Sequence, residues 1–355
     1  GDGSWQLSQF GGVDQYGSPF AAMYMDSMCW GGPAFSFRDG VDSGGAMVIL
    51  GGGAPDVEQQ EMRQPLLYLW RREVPDAGGA GTYRGGNGIE FALTPIDTAE
   101  VTGVLGTHGV TLPNRTGIFG GLPGSCARFE RVSGSDTLGW LGAGRELSTL
   151  DQLDGRHEVL PGVTPAARIA YGEVFGCTVQ NGGGYGDPLL REPGRVARDV
   201  RDRAVSVDAA QRLYGVVVVD GSVDDADTER RRAAIRERRR AAMLPPRAPQ
   251  SADADVADGD GATGSWGASL RTTRAADGTV IASCRHCGGP LGDLADGWEA
   301  IAGRVRLGPE DLGALVHVHE SLAVTQYVCP HCVTALWVDT EPDGGKTWRD
   351  FALHP

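Results

Sequence analysis

Glycine is the residue that most restricts how this chain can fold. It supplies 55 of the 355 residues and gathers in clusters, among them GGAGTYRGGNG at residues 78–88 and NGGGYG at residues 181–186. The clusters show no collagen-like period, and glycine suits turns because it lacks a Cβ atom. Hydrophobic residues make up 41% of the chain, enough for a packed core. Together these features predict a folded, turn-rich and largely β body.

Short apolar runs bounded by glycine predict strands at residues 46–53, 66–74 and 214–221. Behind the second glycine cluster the pattern becomes helical. Pro193 suits a first helical position, and Ser206 can cap a short helix closed by Gly215.

Val196 and Val200 share one face of the predicted helix that starts near residue 193. Residues 224–243 predict a longer helix, because acidic residues lead and arginines follow, the order that the helix dipole favours. Seven arginines lie between Arg230 and Arg240, too many for one buried face. We expect a solvated helix, or a helical extension lying on a neighbouring acidic surface, with a dedicated anion site as the alternative.

Residues 244–267 are rich in Pro, Ala, Asp, Gly and Ser and have no periodicity, which is typical of a linker. They divide the chain into a body of residues 1–243 and a small module of residues 268–355. The predicted fold class is α+β, with a β-rich, glycine-rich body that ends in helices and a small four-cysteine zinc module.

The module contains two C-x-x-C pairs, Cys284 with Cys287 and Cys329 with Cys332. Each pair directs two thiolates to one point, and two pairs complete a tetrahedron. The interval between the pairs exceeds the usual spacing of a short zinc ribbon. We predict that these four cysteines bind a structural Zn²⁺, in preference to redox dithiols or free thiols. A closed set of four cysteines leaves no position for a catalytic water.

The other cysteines, and the histidines inside the pairs, are weaker candidates. Cys29, Cys126 and Cys177 are dispersed, so we expect small buried hydrophobic side chains rather than nucleophiles. His286 or His331 could replace a cysteine as ligand, but four cysteines are the simpler set.

The segment HVHE places His317 and His319 on one side if it is extended, next to Glu320. A second metal site is conceivable there, but an ordinary strand or helix edge is the preferred interpretation. No Ser–His–Asp order can be defended, so the catalytic residues stay unknown.

The segment NGGGYGDPLLREP, from residue 181, invites comparison with phosphate-binding loops, because consecutive glycine N–H groups can hold an anion. The dinucleotide fingerprint needs Gly at i, i+2 and i+5, and Asp187 and Arg84 break it in the two clusters. GGKT at residues 344–347 approaches the phosphate-loop motif, but Thr340 stands at its first glycine position. We therefore assign no cofactor-binding residue.

A structural role is the preferred interpretation of this segment. Its glycines are expected to permit a tight path with positive φ, fixed by the packing of Tyr185 and a turn hydrogen bond from Asp187. The glycines concerned are Gly182, Gly183, Gly184 and Gly186. The alternative is that the segment lines an active cavity from one side.

The formal net charge of −14 argues against nucleic acid as the main partner. No apolar run reaches membrane-spanning length, and the first residues lack a signal-peptide pattern, so no membrane association is expected. An odd number of cysteines with two tight pairs suits a reducing cytoplasm.

Two long motifs carry a family resemblance. PDAGGAGTYRGGNGIE (residues 75–90) and the stretch from residue 181 to residue 218 closely resemble the C-terminal half of the hydantoinase B/5-oxoprolinase family. That family includes the α subunits of acetone and related ketone carboxylases. The module, from CRHCGGPLGDL to YVCPHCVTALWVD, resembles the small zinc-containing γ subunit of acetone carboxylases.

The resemblance implies ATP-dependent carboxylation of a ketone, acetone or an aromatic ketone such as acetophenone, with bicarbonate as carbon source. It implies a separate actin-like ATPase of the hydantoinase A type, which binds ATP. It also implies a catalytic divalent metal held by the N-terminal half of the α-type subunit. That half has no match here, so we expect a partner chain to supply it, a hetero-oligomer, and no activity of the chain alone.

Two alternatives remain open. One is a subunit of an ATP-dependent cyclic-amide hydrolase, such as a hydantoinase, oxoprolinase or lactamase. The other is a non-catalytic scaffold subunit, with the zinc module and the arginine-rich helix as assembly contacts. The substrate and the stoichiometry do not follow from the sequence.

Overall fold

The computed structural model describes residues 6–45, 53–247, 263–275 and 277–344, and it has the predicted strand-rich α+β fold. The body forms two antiparallel sheets and one short hairpin. Its strands are β1 (Gln6–Val13), β2 (Pro19–Met23), β3 (Leu66–Glu73), β4 (Ile89–Pro95), β5 (Glu100–Thr107), β6 (Arg128–Ser133), β7 (Arg156–Leu160), β8 (Val163–Ala170), β9 (Val174–Thr178), β10 (Val218–Val219) and β11 (Ser222–Val223).

The two sheets, with strand orders β2-β1-β5-β8 and β3-β4-β9-β6-β7, pack face to face. Phe10 and Val101 of the first sheet and Phe91, Phe129 and Phe175 of the second are each about 1% exposed. Phe10 and Phe175 meet edge to face across the interface, with ring centroids 5.1 Å apart. The alternation of buried and exposed residues along β5 is what one buried face of an antiparallel sheet requires.

The helices of the body follow the sequence pattern closely. They are α1 (Val57–Arg63), α2 (Thr137–Gly142), α3 (Pro193–Arg201), α4 (Val207–Arg212) and α5 (Asp225–Ala242). Pro193 stands at the first turn of α3, the Ser206 hydroxyl accepts the Ala209 N–H at the start of α4, and Gly215 has a φ of 63° behind it. These predictions are confirmed. None of the helices in the described ranges combines the length and hydrophobicity that a membrane crossing needs.

The three predicted strands have three different outcomes. The strand at residues 66–74 is confirmed as β3. Residues 46–52 lie outside the described residues. The strand predicted at residues 214–221 is wrong, because only Val218–Val219 pair, in a two-residue hairpin. Tyr214 and Val216 are instead buried against α3 and α4, which satisfies their hydrophobicity without a sheet.

Four extended segments between the sheets and the helices form what we call the glycine bundle, residues 31–41, 78–88, 115–124 and 181–186. The segments are joined by backbone hydrogen bonds, such as Gly79 N–H to Gly182 O at 2.8 Å and Gly184 N–H to Leu122 O at 2.9 Å. A Cβ atom added at Gly182, Gly183 or Gly184 would overlap with the backbone of Gly32, Thr116 or Ala80, respectively.

Gly182, Gly183 and Gly184 thus each face a different one of the other three segments of the bundle. An extended helix with three residues per turn has the same arrangement. The expectation of positive φ is wrong for three of its four glycines, since only Gly186 has it, at 75°. Gly182, Gly183 and Gly184 are needed because neighbouring backbones leave no room for a side chain. The expected turn hydrogen bond is confirmed, because the Asp187 carboxylate accepts the Leu189 N–H at 3.0 Å.

A buried ion cluster closes one end of the bundle. The side chain of Arg191, 1% exposed, donates to Asp39 at 2.6 and 2.9 Å and to Asp199 of α3 at 2.7 Å. Arg84 of the 78–88 segment donates to both carboxylate oxygens of Asp42, at 2.7 and 2.8 Å. The cluster therefore joins the first and second segments to α3 through Arg191, which follows the last segment in the chain.

The module, beyond α5, contains two further sheets. The first has the order β12 (Thr263–Trp266), β13 (Leu270–Arg274), β14 (Val280–Cys284) and β15 (Pro290–Asp293). The second consists of β16 (Gly303–Leu307), β17 (Leu322–Val328) and β18 (Ala335–Pro342), and a short helix α6 (Trp298–Ile301) precedes it. β12 comes from residues that the sequence places at the end of the linker, and Leu244 at its start pairs with Arg304 of β16.

The close backbone packing predicts that Gly184→Ala is strongly destabilising. The three atoms nearest to an added Cβ all belong to the backbone of Gly79 or Ala80, so no side chain can rotate away to make room. We expect a loss of about 3 kcal/mol in the free energy of unfolding, measured by urea denaturation. Gly106→Ala is the matched control, because a Cβ there meets nothing within 4 Å. Equal stability of the two variants would contradict the packing argument.

The ion cluster predicts a pH-dependent effect of Asp39→Asn. Burial alone would raise the pKa of Asp39, but hydrogen bonding to Arg191, with Arg191 and Arg195 charges nearby, outweighs it and lowers the pKa. The carboxylate therefore stabilises the fold above its unfolded pKa of about 3.9, and this contribution is lost as pH falls further.

At pH 7 we expect Asp39→Asn to cost about 3 kcal/mol, and the difference from the unmodified chain to shrink below pH 4. Urea denaturation at pH 7 and in acid measures both values. Asp208→Asn, whose carboxylate is 79% exposed and pairs with Arg212 on the surface of α4, should change little at either pH. A difference for Asp39→Asn that stays constant with pH would show that its charge is not the cause.

Candidate metal centre

The four predicted cysteine ligands lie at the ends of module strands. Cys284 is the last residue of β14 and Cys287 precedes β15, while Cys329 follows β17 and Cys332 precedes β18. Two hairpin-like turns, one from each sheet, thus meet at one point.

The two turns have the same backbone hydrogen bonds. In the first, Gly288 N–H donates to Cys284 O at 2.8 Å, and Cys284 N–H donates to Gly289 O at 2.9 Å. In the second, Val333 N–H donates to Cys329 O and Cys329 N–H donates to Thr334 O, both at 2.9 Å. This repeated turn aims both thiols of each pair to the same side.

The sulfur geometry fits a tetrahedral metal site. All four Sγ atoms lie within 4.8 Å of one another, and Cys284 to Cys332 and Cys287 to Cys329 are each 3.8 Å apart. A tetrahedron with Zn–S bonds of about 2.3 Å has edges of about 3.8 Å. The residues present therefore match the size of a zinc–thiolate centre. Four sulfur ligands would complete its coordination, so the centre suits a structural role.

The residue behind each pair has a left-handed backbone. Gly288 adopts a φ of 74° without strain, but Val333, the equivalent residue of the second turn, has a φ of 55°. A β-branched residue is strained in this region. Val333 is fully buried, so the strain is held by the packing around it.

Hydrogen bonds among the four thiols shift the pKa values of Cys329 and Cys332 in opposite directions. Hydrogen bonding to Cys284 and Cys332, together with burial, raises the pKa of Cys329 above its ordinary value. Hydrogen bonds from Cys284 and Cys329 lower the pKa of Cys332. A metal that takes all four sulfurs as thiolates has to displace the remaining protons, so metal binding and pH are linked.

The other sequence candidates are not brought into this site. His331 Nε2 lies 2.8 Å from Pro290 O, and His286 is not part of the cluster. His317 and His319 lie in an irregular loop rather than on a strand or helix edge, and no group of three metal-binding side chains forms around them within the described residues. Burial and the nearby charge of Arg128 lower the pKa of His317.

The three dispersed cysteines are buried, as predicted. Burial raises the pKa of Cys29 and of Cys126 to about 11, and it raises that of Cys177 further. Thiols with such pKa values stay protonated and are poor nucleophiles at neutral pH.

Helix α5 contacts both the body and the metal centre. Arg232 donates to the carbonyl oxygens of Tyr214 at 3.1 Å and of Arg191 at 2.6 Å. Arg240 donates to His331 O, inside the second cysteine pair, at 3.3 Å. The prediction of a helix lying on a neighbouring surface therefore holds, but that surface consists of carbonyl oxygens and a few carboxylates rather than a broad acidic patch.

Asp187 is the residue at which the body, α5 and the metal centre meet. Its side chain is 2% exposed. The carboxylate accepts hydrogen bonds from the Arg239 guanidinium at 2.6 and 3.1 Å and from Ala335 N–H at 2.8 Å. From the sequence we predict only a local turn hydrogen bond for Asp187. Its partners are distant in sequence, and no spacing rule links them.

An aromatic cluster completes the contact between body and module. The ring of Phe119 lies edge-on to Tyr185, Trp266 and Trp337, with centroids 5.3 to 5.9 Å apart. Trp266 and Trp337 stack on each other at 5.8 Å. Aromatic pairs of this geometry add stability beyond the area that they bury.

The glycine segment offers little to a phosphate. The N–H groups of Gly184 and Gly186 donate to Leu122 O and Ile118 O, both at 2.9 Å, and are thus already satisfied. An anion nest requires free, convergent N–H groups. The structural interpretation of this segment is supported by these bonds.

Comparison with known proteins gives consistent matches. The chain is 29% identical to the acetone carboxylase alpha subunit of Xanthobacter autotrophicus over 67% of this chain and 33% of that protein. It is 31% identical to the caprolactamase subunit beta of Pseudomonas jessenii over 61% of this chain and 34% of that protein. A solved nucleotide-free acetone carboxylase matches with a TM-score of 0.61 and 28% identity, over 68% of this chain and 34% of that one.

The chain spans about a third of the length of the curated relatives that it matches. The family model described as Hydantoinase B/oxoprolinase matches residues 1–188, more than half of the chain and including all four segments of the glycine bundle. The chain belongs to the hydantoinase B/oxoprolinase family.

Proposed function

We propose that this chain is a subunit of a multi-chain, ATP-dependent ketone carboxylase that uses bicarbonate as its carbon source. The observation that carries this proposal is the agreement of sequence and fold with acetone carboxylase, at 28% identity and a TM-score of 0.61 over two thirds of this chain. The acetone carboxylase alpha subunit agrees over a similar share of the chain. In this proposal the chain completes an alpha-type subunit together with other chains.

The proposal assigns ATP and the catalytic divalent metal to partner chains in a cytoplasmic hetero-oligomer. An actin-like ATPase of the hydantoinase A type would bind ATP, and a further chain would supply the N-terminal half of the alpha-type subunit. The glycine segment supports this assignment, because the N–H groups of Gly184, Tyr185 and Gly186 already donate to other backbone carbonyls. By itself the chain would be inactive.

The proposal also covers the organisation of this chain. In this proposal the chain consists of a hydantoinase B-like part over residues 1–243, a linker over residues 244–267 and a γ-subunit-like module over residues 268–355. The last residues of the linker form β12, which joins the first sheet of the module. The module holds a structural Zn²⁺ on Cys284, Cys287, Cys329 and Cys332, which is supported by sulfur distances that match a zinc–thiolate tetrahedron.

A cyclic-amide hydrolase is the second candidate, because the caprolactamase subunit beta matches this chain at 31% identity. A scaffold role without catalysis is the third. It would gain support if Cys329→Ala dissociated the complex while alanine substitutions in the glycine bundle left turnover intact.

The carboxylase proposal predicts that ATP turnover by the assembled complex requires bicarbonate. The measurement is phosphate release with a ketone substrate, in bicarbonate-free buffer and after bicarbonate is added, with carbon incorporation followed by isotope-labelled bicarbonate. We expect turnover and incorporation only when bicarbonate is present, and no turnover by this chain alone. ATP turnover coupled to lactam opening without bicarbonate would instead identify the hydrolase.

The metal proposal predicts about one equivalent of zinc per chain, measured by elemental analysis after dialysis at pH 7.5. Cys329→Ser removes a buried ligand and should abolish retention. Cys126→Ser changes a buried cysteine outside the cluster and should keep the metal. Because the ligands bind as thiolates, acidification should release zinc. Equal zinc in both variants would contradict the assigned ligand set.

A further inference from the structure

Hydrogen bonds join the second cysteine turn to the body, whereas those of the first turn, among the described residues, stay within the module. Residues of the second turn contact α5 and Asp187, through His331 O, Val333 O and Ala335 N–H. Cys287 of the first turn is exposed, and the backbone around it bonds within the module, as in Arg285 N–H to Ser269 O at 2.9 Å. The two halves of the metal centre therefore have different surroundings despite their equal geometry.

We infer that Asp187 is a positioning residue through which the four-cysteine centre holds the 181–186 segment of the glycine bundle in place. The inference deepens the proposed function and rests on the proposed metal site. It gives the module a task within this chain, which is to support the backbone of the bundle.

Four hydrogen bonds hold the carboxylate of Asp187. Oδ2 accepts Ala335 N–H at 2.8 Å and Arg239 Nη1 at 2.6 Å, while Oδ1 accepts Leu189 N–H at 3.0 Å and Arg239 Nη2 at 3.1 Å. Its own carbonyl oxygen accepts the Thr82 hydroxyl at 2.9 Å, which joins it to the 78–88 segment. A buried carboxylate that loses some of its hydrogen bonds destabilises the fold. The loss of any one partner should therefore shift the backbone on both sides of Asp187.

Two partners of Asp187, Ala335 and Arg239, also connect it to the second cysteine turn. Ala335 lies three residues beyond Cys332, and Val333 O accepts from Arg239 Nη1 at 3.4 Å. Val333 lies between Cys332 and Ala335 and has a φ of 55°, a left-handed conformation that valine normally avoids. A bound metal would fix Cys329 and Cys332, which both precede Val333, and Cys332 is its immediate neighbour. Without it the turn can relax, and Ala335 N–H and Val333 O then move away from Asp187 and Arg239.

The glycine segment next to Asp187 is held by main-chain hydrogen bonds. Gly184 N–H and Gly186 N–H donate to the 115–124 segment, and Tyr185 N–H donates to Tyr83 O at 2.9 Å. These bonds protect the amides from hydrogen exchange as long as the segment stays in place. Loosening Asp187, the next residue along the chain, should expose them to solvent first.

Hydrogen–deuterium exchange of the full chain tests this inference, with zinc bound and after treatment with a chelator. We expect exchange in residues 181–190 to become about tenfold faster without zinc, while β4 (Ile89–Pro95), which pairs with a strand on each side, keeps its rate. If zinc is bound and its removal changes only residues 284–288 and 329–335, the metal site stands and the inference falls. A chain that binds no zinc overturns both.

A pair of arginine variants separates Asp187 from general unfolding of the module. Arg239 is 10% exposed and bonds to Asp187, whereas Arg238 is 57% exposed and pairs with Asp311. In the zinc-bound chain, Arg239→Met should speed exchange in residues 181–190 with zinc content unchanged, and Arg238→Met should not. Equal exchange in the two variants would show that Asp187 does not transmit the position of the metal centre.

Discussion

Packing of backbone against backbone in the glycine bundle is the constraint on which the rest of the structure depends. Its four segments approach so closely that a Cβ atom at Gly85 would overlap with Gly182 O, and one at Gly86 with Val41 O. Main-chain hydrogen bonds between segments replace the side-chain contacts of an ordinary core. The bundle connects the sheet pair to α3 and α5, so a shift within it would displace both.

Charged and aromatic contacts at the boundary of the bundle add to the main-chain hydrogen bonds within it. Arg191 and Arg84 bind carboxylates at one end, and Asp187 with the Phe119 cluster joins the bundle to the metal module. Buried ion pairs cost desolvation, but they fix geometry when every donor and acceptor is satisfied. A rigid bundle of this kind suits a subunit whose proposed task is to complete a larger catalytic chain.

The sequence predicts the parts of this structure that depend on local patterns. The cysteine pairs and the helices that begin at Pro193 and Val207 follow from capping and ligand rules that act over a few residues. The function of Gly182 to Gly184 and the partners of Asp187 depend on contacts between segments far apart in the chain, which no local rule contains. The run at residues 214–221 misleads because a buried loop and a buried strand have the same hydrophobicity.

We propose that this chain works as one part of a larger ATP-dependent assembly. Native mass spectrometry of the complex isolated through a tag on this chain tests it most directly. We expect a hetero-oligomer that contains an actin-like ATPase chain and a chain with the N-terminal half of an alpha-type subunit. An active assembly made only of copies of this chain would contradict it.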